Sequence, residues 1–165
     1  MPTYTYTTID DPSGRNTQAF GINSAGQIVG QYASNNAIHG FLYSGGTYTA
    51  LDDPSAPNVT NAFGINDAGQ IVGLYVDTST HGFLYSGGTY TTVDEPLATM
   101  GTGAESINNA GEIVGWYQEA QHGVARHGFL YNPNSNVLRR RRQPDHGRRI
   151  LGPSRTGLAA RGFCR

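Results

Sequence analysis

One block of this chain is written three times. Ala19-Phe20-Gly21-Ile22-Asn23-Ser24-Ala25-Gly26-Gln27-Ile28-Val29-Gly30 is followed, after a loop, by His39-Gly40-Phe41-Leu42-Tyr43. The block returns as Ala62 to Gly73 with His81 to Tyr85, and more loosely as Ala104 to Gly115 with His127 to Tyr131. Asp10, Asp52 and Asp94 stand 42 residues apart, and His39, His81 and His127 stand 42 and 46 apart. A period of this size restricts the fold to repeat architectures, in which each copy buries its apolar surface against the next. The longer last interval comes from an insertion around Gln118 to Ala125, in a loop that tolerates added length.

Within a copy the pattern is that of short strands. Tyr4 to Ile9 alternates aromatic and β-branched residues and reads as a strand, here called d. Asp10-Asp11-Pro12-Ser13-Gly14 closes it with turn chemistry. Strand a is Gln18 to Asn23, and Asn23-Ser24-Ala25-Gly26 reads as a type I turn with a left-handed glycine. Strand b is Gln27 to Tyr32, ended by a polar loop at Ala33 to Ala37, and strand c is His39 to Tyr43. Ser44-Gly45-Gly46 turns into the next strand d, Thr47 to Leu51.

The expected fold is all-β, in antiparallel four-stranded repeats of about 42 residues, the size of a β-propeller blade. A β-sandwich or a stacked β-sheet array is the alternative. Residues 1–136 form the repeat domain, with units at roughly 4–53, 54–95 and 96–136. The chain opens on a strand d and its last good copy ends on a strand c, so Tyr4 to Ile9 is expected to complete the set that ends at Tyr131. Three blades fall below the usual propeller count, which points to a fragment of a larger ring, to self-association or to another way of stacking.

Several of these motifs together resemble a known family. Gly-Ile-Asn-x-x-Gly-Gln-Ile-Val-Gly followed by His-x-Phe-Leu-Tyr is similar to the bacterial extracellular repeat named HAF after a His-Ala-Phe signature, and the resemblance covers roughly Tyr4 to Tyr131. The chain departs from that signature with Gly40, Gly82 and Gly128 in place of Ala, and the third copy has Ser106 and Glu112 where the others have Gly and Gln. The resemblance implies a repeat fold and an extracellular or cell-surface location, and it implies no reaction.

The charge is split along the chain. Of the 11 arginines only Arg15 and Arg126 precede residue 139, whereas Asp145 is the one acid of the 12 that follows it, and there is no lysine. Residues 137–165 thus form an Arg-rich tail without strand pattern, expected to be disordered. A basic arm for nucleic acid is the sharper reading, but the arginines come without interleaved aromatics, so no nucleic-acid partner is expected. Out-of-frame translation explains the run better. By the spacing of the earlier copies an acidic pair belongs at positions 140 and 141, where Arg140 and Arg141 stand. A CGA codon followed by CGN reads GAC, an Asp codon, one base later.

No apolar run has the length of a membrane span, and Met1-Pro2-Thr3-Tyr4 does not resemble a secretory leader. The single cysteine, Cys164, cannot form an internal disulfide.

Three sets of residues carry candidate chemistry. His39, His81 and His127 would bind zinc or copper if they met near an axis; the competing reading is one strand-start histidine per copy. The carboxylate pairs Asp10-Asp11, Asp52-Asp53 and Asp94-Glu95 are candidates for calcium or for acid–base work, against simple turn capping. Phe20, Phe41, Phe63, Phe83 and Phe129 are expected in the core. Tyr32, Tyr43, Tyr75, Tyr85, Tyr117 and Tyr131 are expected to be partly exposed, as sheet packing or as sugar-stacking rings. Trp116, the one Trp, marks the third copy as distinct. The glycines of Gly21 to Gly26 precede no helix and make no phosphate loop.

The expectation is a non-enzymatic extracellular module that acts as a scaffold or as a binding surface for glycan or protein, with no catalytic, cofactor-binding or metal residues assigned. The alternatives are an enzyme such as a hydrolase built on a propeller, and a truncated fragment without a function of its own.

Overall fold

The computed structural model describes residues 2–56, 58–120 and 125–133. The chain divides into Met1–Ser135 and Asn136–Arg165, and the second part, with the Arg-rich tail and its frameshift reading, lies outside the described residues. Eleven strands form among the described residues, and no helix is long and apolar enough to cross a membrane. The first repeat gives β1 (Arg15–Ile22), β2 (Ile28–Ser34), β3 (Ala37–Ser44) and β4 (Thr47–Leu51). The second gives β5 (Val59–Ile65), β6 (Ile71–Val76), β7 (Thr80–Ser86) and β8 (Thr89–Thr92). The third gives β9 (Gly101–Ile107), β10 (Ile113–Gln118) and β11 (Arg126–Tyr131).

Neighbouring strands within a repeat pair antiparallel, as the sequence pattern requires. Between repeats the pairing is parallel and minimal: Ile38 meets Val59, and Thr80 meets Gly101. One mixed sheet results, ordered β1-β2-β3-β5-β6-β7-β9-β10-β11, with β4 on β3 and β8 on β7. It is all-β, but it is open, with β1 and β11 at its two ends.

The turns follow their residues. Gly26 has φ 75°, and its N–H donates to the Asn23 carbonyl at 3.0 Å. The expected loop at Ala33 to Ala37 is instead a tight hairpin, with Ser34 opposite Ala37 and Asn35 and Asn36 at φ 50° and 63°. Asn tolerates the left-handed conformation that such a turn needs at both central positions, so the flanking strands run on to meet it.

One irregularity recurs. Phe20, Phe63 and Glu105 are each skipped in the pairing of strands a and b, a β-bulge at the same place in every repeat. A bulge re-aims the side chain of the extra residue. Phe20, expected in the core, is accordingly exposed and lies against Phe63 with ring centroids 5.3 Å apart.

The core sits between repeats. Val29 and Leu51 of the first repeat cluster with Ala62, Ile65, Ile71, Tyr75 and Phe83 of the second. Val72 and Val93 of the second cluster with Ala104, Ile107 and Ile113 of the third. The first and second repeats thus bury their strand-b valines in clusters with the strand-a isoleucine of the next.

The N-terminal segment departs from expectation. Tyr4 to Ile9 forms no strand, and Tyr6 is 94% exposed. The edge it was expected to complete, that of β11, is at the far end of the open sheet.

Candidate functional site: histidine–carboxylate pairs on tyrosine rings

Strand c begins with a histidine, and its partner across the hairpin is a tyrosine of strand b. Tyr32 pairs with His39, Tyr75 with His81 and Tyr117 with His127. Direct cross-strand neighbours on one face stack their side chains, and the three pairs of rings each lie 5.1 Å apart. Tyr32 and Tyr75 are buried, contrary to the expected partial exposure, whereas Tyr43, Tyr85 and Tyr117 are half-buried and Tyr131 is exposed. Phe41 and Phe83 are fully buried, and Phe63 and Phe129 partly so.

The second partner of His39 and of His81 comes from just beyond strand d. His39 Nδ1 lies 2.9 Å from Asp52 Oδ1, and His81 Nδ1 lies 2.7 Å from Asp94 Oδ2. In the second repeat Asp77 adds a carboxylate 3.3 Å from His81 Nε2. Burial opposes a charged His81, but the hydrogen bonds and charges of Asp94 and Asp77 outweigh it and raise its pKa above the ordinary value. Asp77 is held below its ordinary value chiefly by the Ser79 N–H. Burial, then the charges of Asp11 and Asp52, push the Tyr32 phenol up and keep it protonated.

The carboxylate pairs separate rather than converge. Asp52 and Asp94 turn to the histidines, while the second member of each pair folds back on its own turn. Asp53 Oδ1 accepts the Ser55 N–H at 2.8 Å, and the Asp53 N–H donates to Thr60 Oγ1 at 3.1 Å. Asp11 repeats both bonds, with Ser13 at 2.7 Å and Thr17 at 3.0 Å. The Glu95 carboxylate accepts the Leu97 N–H, and the Glu95 N–H donates to Thr102 Oγ1 at 3.2 Å. Among the described residues no group of three or more His, Cys, Asp or Glu is placed to hold a metal ion.

His39 and Asp52 line a cleft of about 170 Å³ at the junction of the first two repeats, with Asn58 and Thr60 on its other side. It is small beside the roughly 300–1,000 Å³ of ligand pockets. Among the described residues neither His39 nor His81 is hydrogen-bonded to a Ser, Thr or Cys, the contact by which a hydrolytic triad activates its nucleophile.

Two features lie beyond what the sequence reading singled out. A ladder joins the strand a–b turns: Asn23 Nδ2 donates to the Asn66 carbonyl at 3.1 Å, and Asn66 Nδ2 to the Asn108 carbonyl at 3.0 Å. Asp67 extends it, accepting from the Ser24 N–H at 2.8 Å and from Asn109 Nδ2 at 2.8 Å. These bonds, led by that of the Ser24 N–H, hold the Asp67 carboxyl below its ordinary range. The signal was present as an Asn at one fixed point of every repeat. The His–Asp pairs were likewise signalled by an equal separation of 13 residues in two repeats.

Trp116 does mark the third repeat. Its Nε1 donates to Glu105 Oε1 at 2.8 Å, and the Arg126 guanidinium lies 3.9 Å over the ring. Gly103 leaves room for the indole, since a β-carbon there would stand 2.7 Å from it.

Comparison with family models and with curated proteins gives no match.

Proposed function

We propose that the chain is a non-enzymatic repeat module of propeller-like blades, which serves as a scaffold or as a binding surface for glycan or protein outside the cell. The observation that carries this reading is the sameness of the polar clusters. Tyr32–His39–Asp52 and Tyr75–His81–Asp94 are the same arrangement in successive repeats. Catalysis calls for one convergent site with a nucleophile, base or metal in reach of a shared reacting atom, whereas a scaffold repeats its joints. The blade reading rests on the four-stranded meander of about 42 residues and on the stacking of each strand a upon the previous repeat. The extracellular location rests on the resemblance of the Gly-Ile-Asn and His-x-Phe-Leu-Tyr motifs to HAF repeats.

The third repeat offers the distinct surface, with Trp116, Glu105 and Arg126 together. The full chain, passed over immobilised polysaccharides and cell-surface proteins, is expected to be retained saturably by at least one of them. Trp116→Ala is expected to weaken that retention about tenfold, an aromatic anchor contributing on the order of 1–2 kcal/mol. Turnover of chromogenic glycoside or ester substrates that is lost in His81→Gln would overturn the reading in favour of a hydrolase.

A further inference from the structure

The two ends of the open sheet carry matching defects. Among the described residues, strand c at the β11 end has no strand d. In the first repeat Tyr48 of β4 stands opposite Tyr43 and packs on Phe41 and Tyr43, with centroids 5.5 and 4.8 Å away. In the second, Tyr90 of β8 repeats this on Phe83 and Tyr85, at 5.4 and 4.8 Å. In the third repeat no described strand pairs with the outer edge of β11, which carries Phe129 and Tyr131.

Gly128 occupies the place at which the other repeats admit a close strand d. A β-carbon at Gly40 would stand 2.7 Å from the Leu51 carbonyl of β4, and one at Gly82 would stand 2.5 Å from the Val93 carbonyl. At Gly128 the nearest atom among the described residues lies 3.9 Å away and belongs to strand b, not to a strand d. The glycine that admits a close strand d is present, and among the described residues no strand d stands against it.

At the β1 end the apolar surface that belongs to a preceding repeat is bare. Ile65 and Ile107 are 7% and 8% exposed because each packs on the strand-b valine of the repeat before, but Ile22 is 67% exposed. Correspondingly Val29 and Val72 are fully buried, while Val114 at the other end is 45% exposed. Leu42 and Leu84 pack against the junction clusters, and their counterpart Leu130 is exposed.

The N-terminal segment has the sequence of the missing strand. Thr5-Tyr6-Thr7-Thr8-Ile9-Asp10 matches Thr47-Tyr48-Thr49-Ala50-Leu51-Asp52 and Thr89-Tyr90-Thr91-Thr92-Val93-Asp94 position by position. We propose that the chain associates head to tail with a second copy of itself, residues Thr5 to Ile9 of one copy adding as strand d to β11 of the other. The internal register carries over directly. Tyr6 stands opposite Tyr131 and packs on Phe129, Ile9 stands opposite Gly128, and Asp10 stands where it meets His127. Ile22 of the donating copy covers Val114 of the accepting one, as Ile65 covers Val29.

In this structure Thr5 to Ile9 is not paired with β11 of its own chain. Asp11 is buried and held to the first repeat through the Thr17 hydroxyl, and only Asp10 separates it from Ile9. Ile9 therefore stays at the β1 end, whereas Gly128 is on the last strand of the sheet.

Two full-length variants and a deletion test this. Removing residues 2–9 leaves an acceptor without a donor. Gly128→Val leaves a donor whose own β11 cannot admit a strand d, and Leu130→Arg on the exposed face is a second such chain. By sedimentation velocity the unaltered chain is expected to associate with rising concentration, and each altered chain alone to be monomeric with cooperative unfolding. Mixing the deletion with Gly128→Val, or with Leu130→Arg, is expected to restore a one-to-one complex. A monomeric unaltered chain at every concentration overturns the proposal, and so does association of the deletion by itself. A mixture of folded altered chains that stays monomeric does the same. None of these readouts depends on the glycan or protein ligand.

Discussion

Thr60 shows how a turn between repeats is fastened. It is 1% exposed, and its hydroxyl accepts the Asp53 N–H in an interior that offers that donor no water. Thr60→Val keeps the shape and removes the acceptor, and is expected to cost about 1–3 kcal/mol, the penalty of a buried unsatisfied donor. Urea denaturation of the two chains measures it. His81 supplies the pH-sensitive contact. Its folded pKa is raised, so its contribution to stability is complete below the unfolded value near 6.5 and disappears as the pH rises through the higher folded value. Titration of the imidazole by NMR is expected to give a pKa above 6.5, and Asp94→Asn is expected to lower it toward that value.

At the scale of strands, the same residue type has different consequences in different repeats. Gly82→Ala forces a methyl against the Val93 carbonyl of its strand d and is expected to destabilise by about 1–3 kcal/mol, as overpacking does. Gly128→Ala meets no atom of the described residues closer than 3.9 Å and is expected to change the stability of the monomer by less than about 0.5 kcal/mol. Ile65→Ala and Ile22→Ala form a parallel contrast: loss of about 2–5 kcal/mol at the buried junction and little at the exposed one. Thermal and urea melts of the dilute proteins decide both. The strands themselves were legible in the sequence, because period-two alternation and Asn-x-x-Gly and Ser-Gly-Gly turns are local signals. The bulge at Phe20 and Phe63 was not. An inserted residue leaves the run of residue types unchanged and shifts only the pairing, so Phe20 read as core. The His39–Asp52 and His81–Asp94 bonds were half legible: both partners were singled out, each in its own column, but the 13-residue separation that joins them gains meaning only once strands c and d are in register. Tyr4 to Ile9 has a strand's composition and no strand's structure, because a strand is completed by its neighbour.

For the assembly as a whole, the expected self-association has a natural end point. A heterologous interface repeats until rotation closes it or a filament forms. Two copies bring six repeats, three from each, and propellers close with about four to eight blades. If the repeats are blades, both Thr5–Ile9 segments and both β11 edges are satisfied in a ring of two. Light scattering on the associated fraction is then expected to give twice the mass of the chain, without growth at higher concentration. A ladder of larger species would mean that the junction between copies lacks the rotation a blade requires, and would count against the propeller reading while keeping the head-to-tail contact. In the proposed contact Val114 and Ile22 take the places that Val29 and Ile65, and Val72 and Ile107, hold at the two junctions inside the chain. Identical junctions rotate by identical steps, and constant rotation with little rise is the condition for a ring.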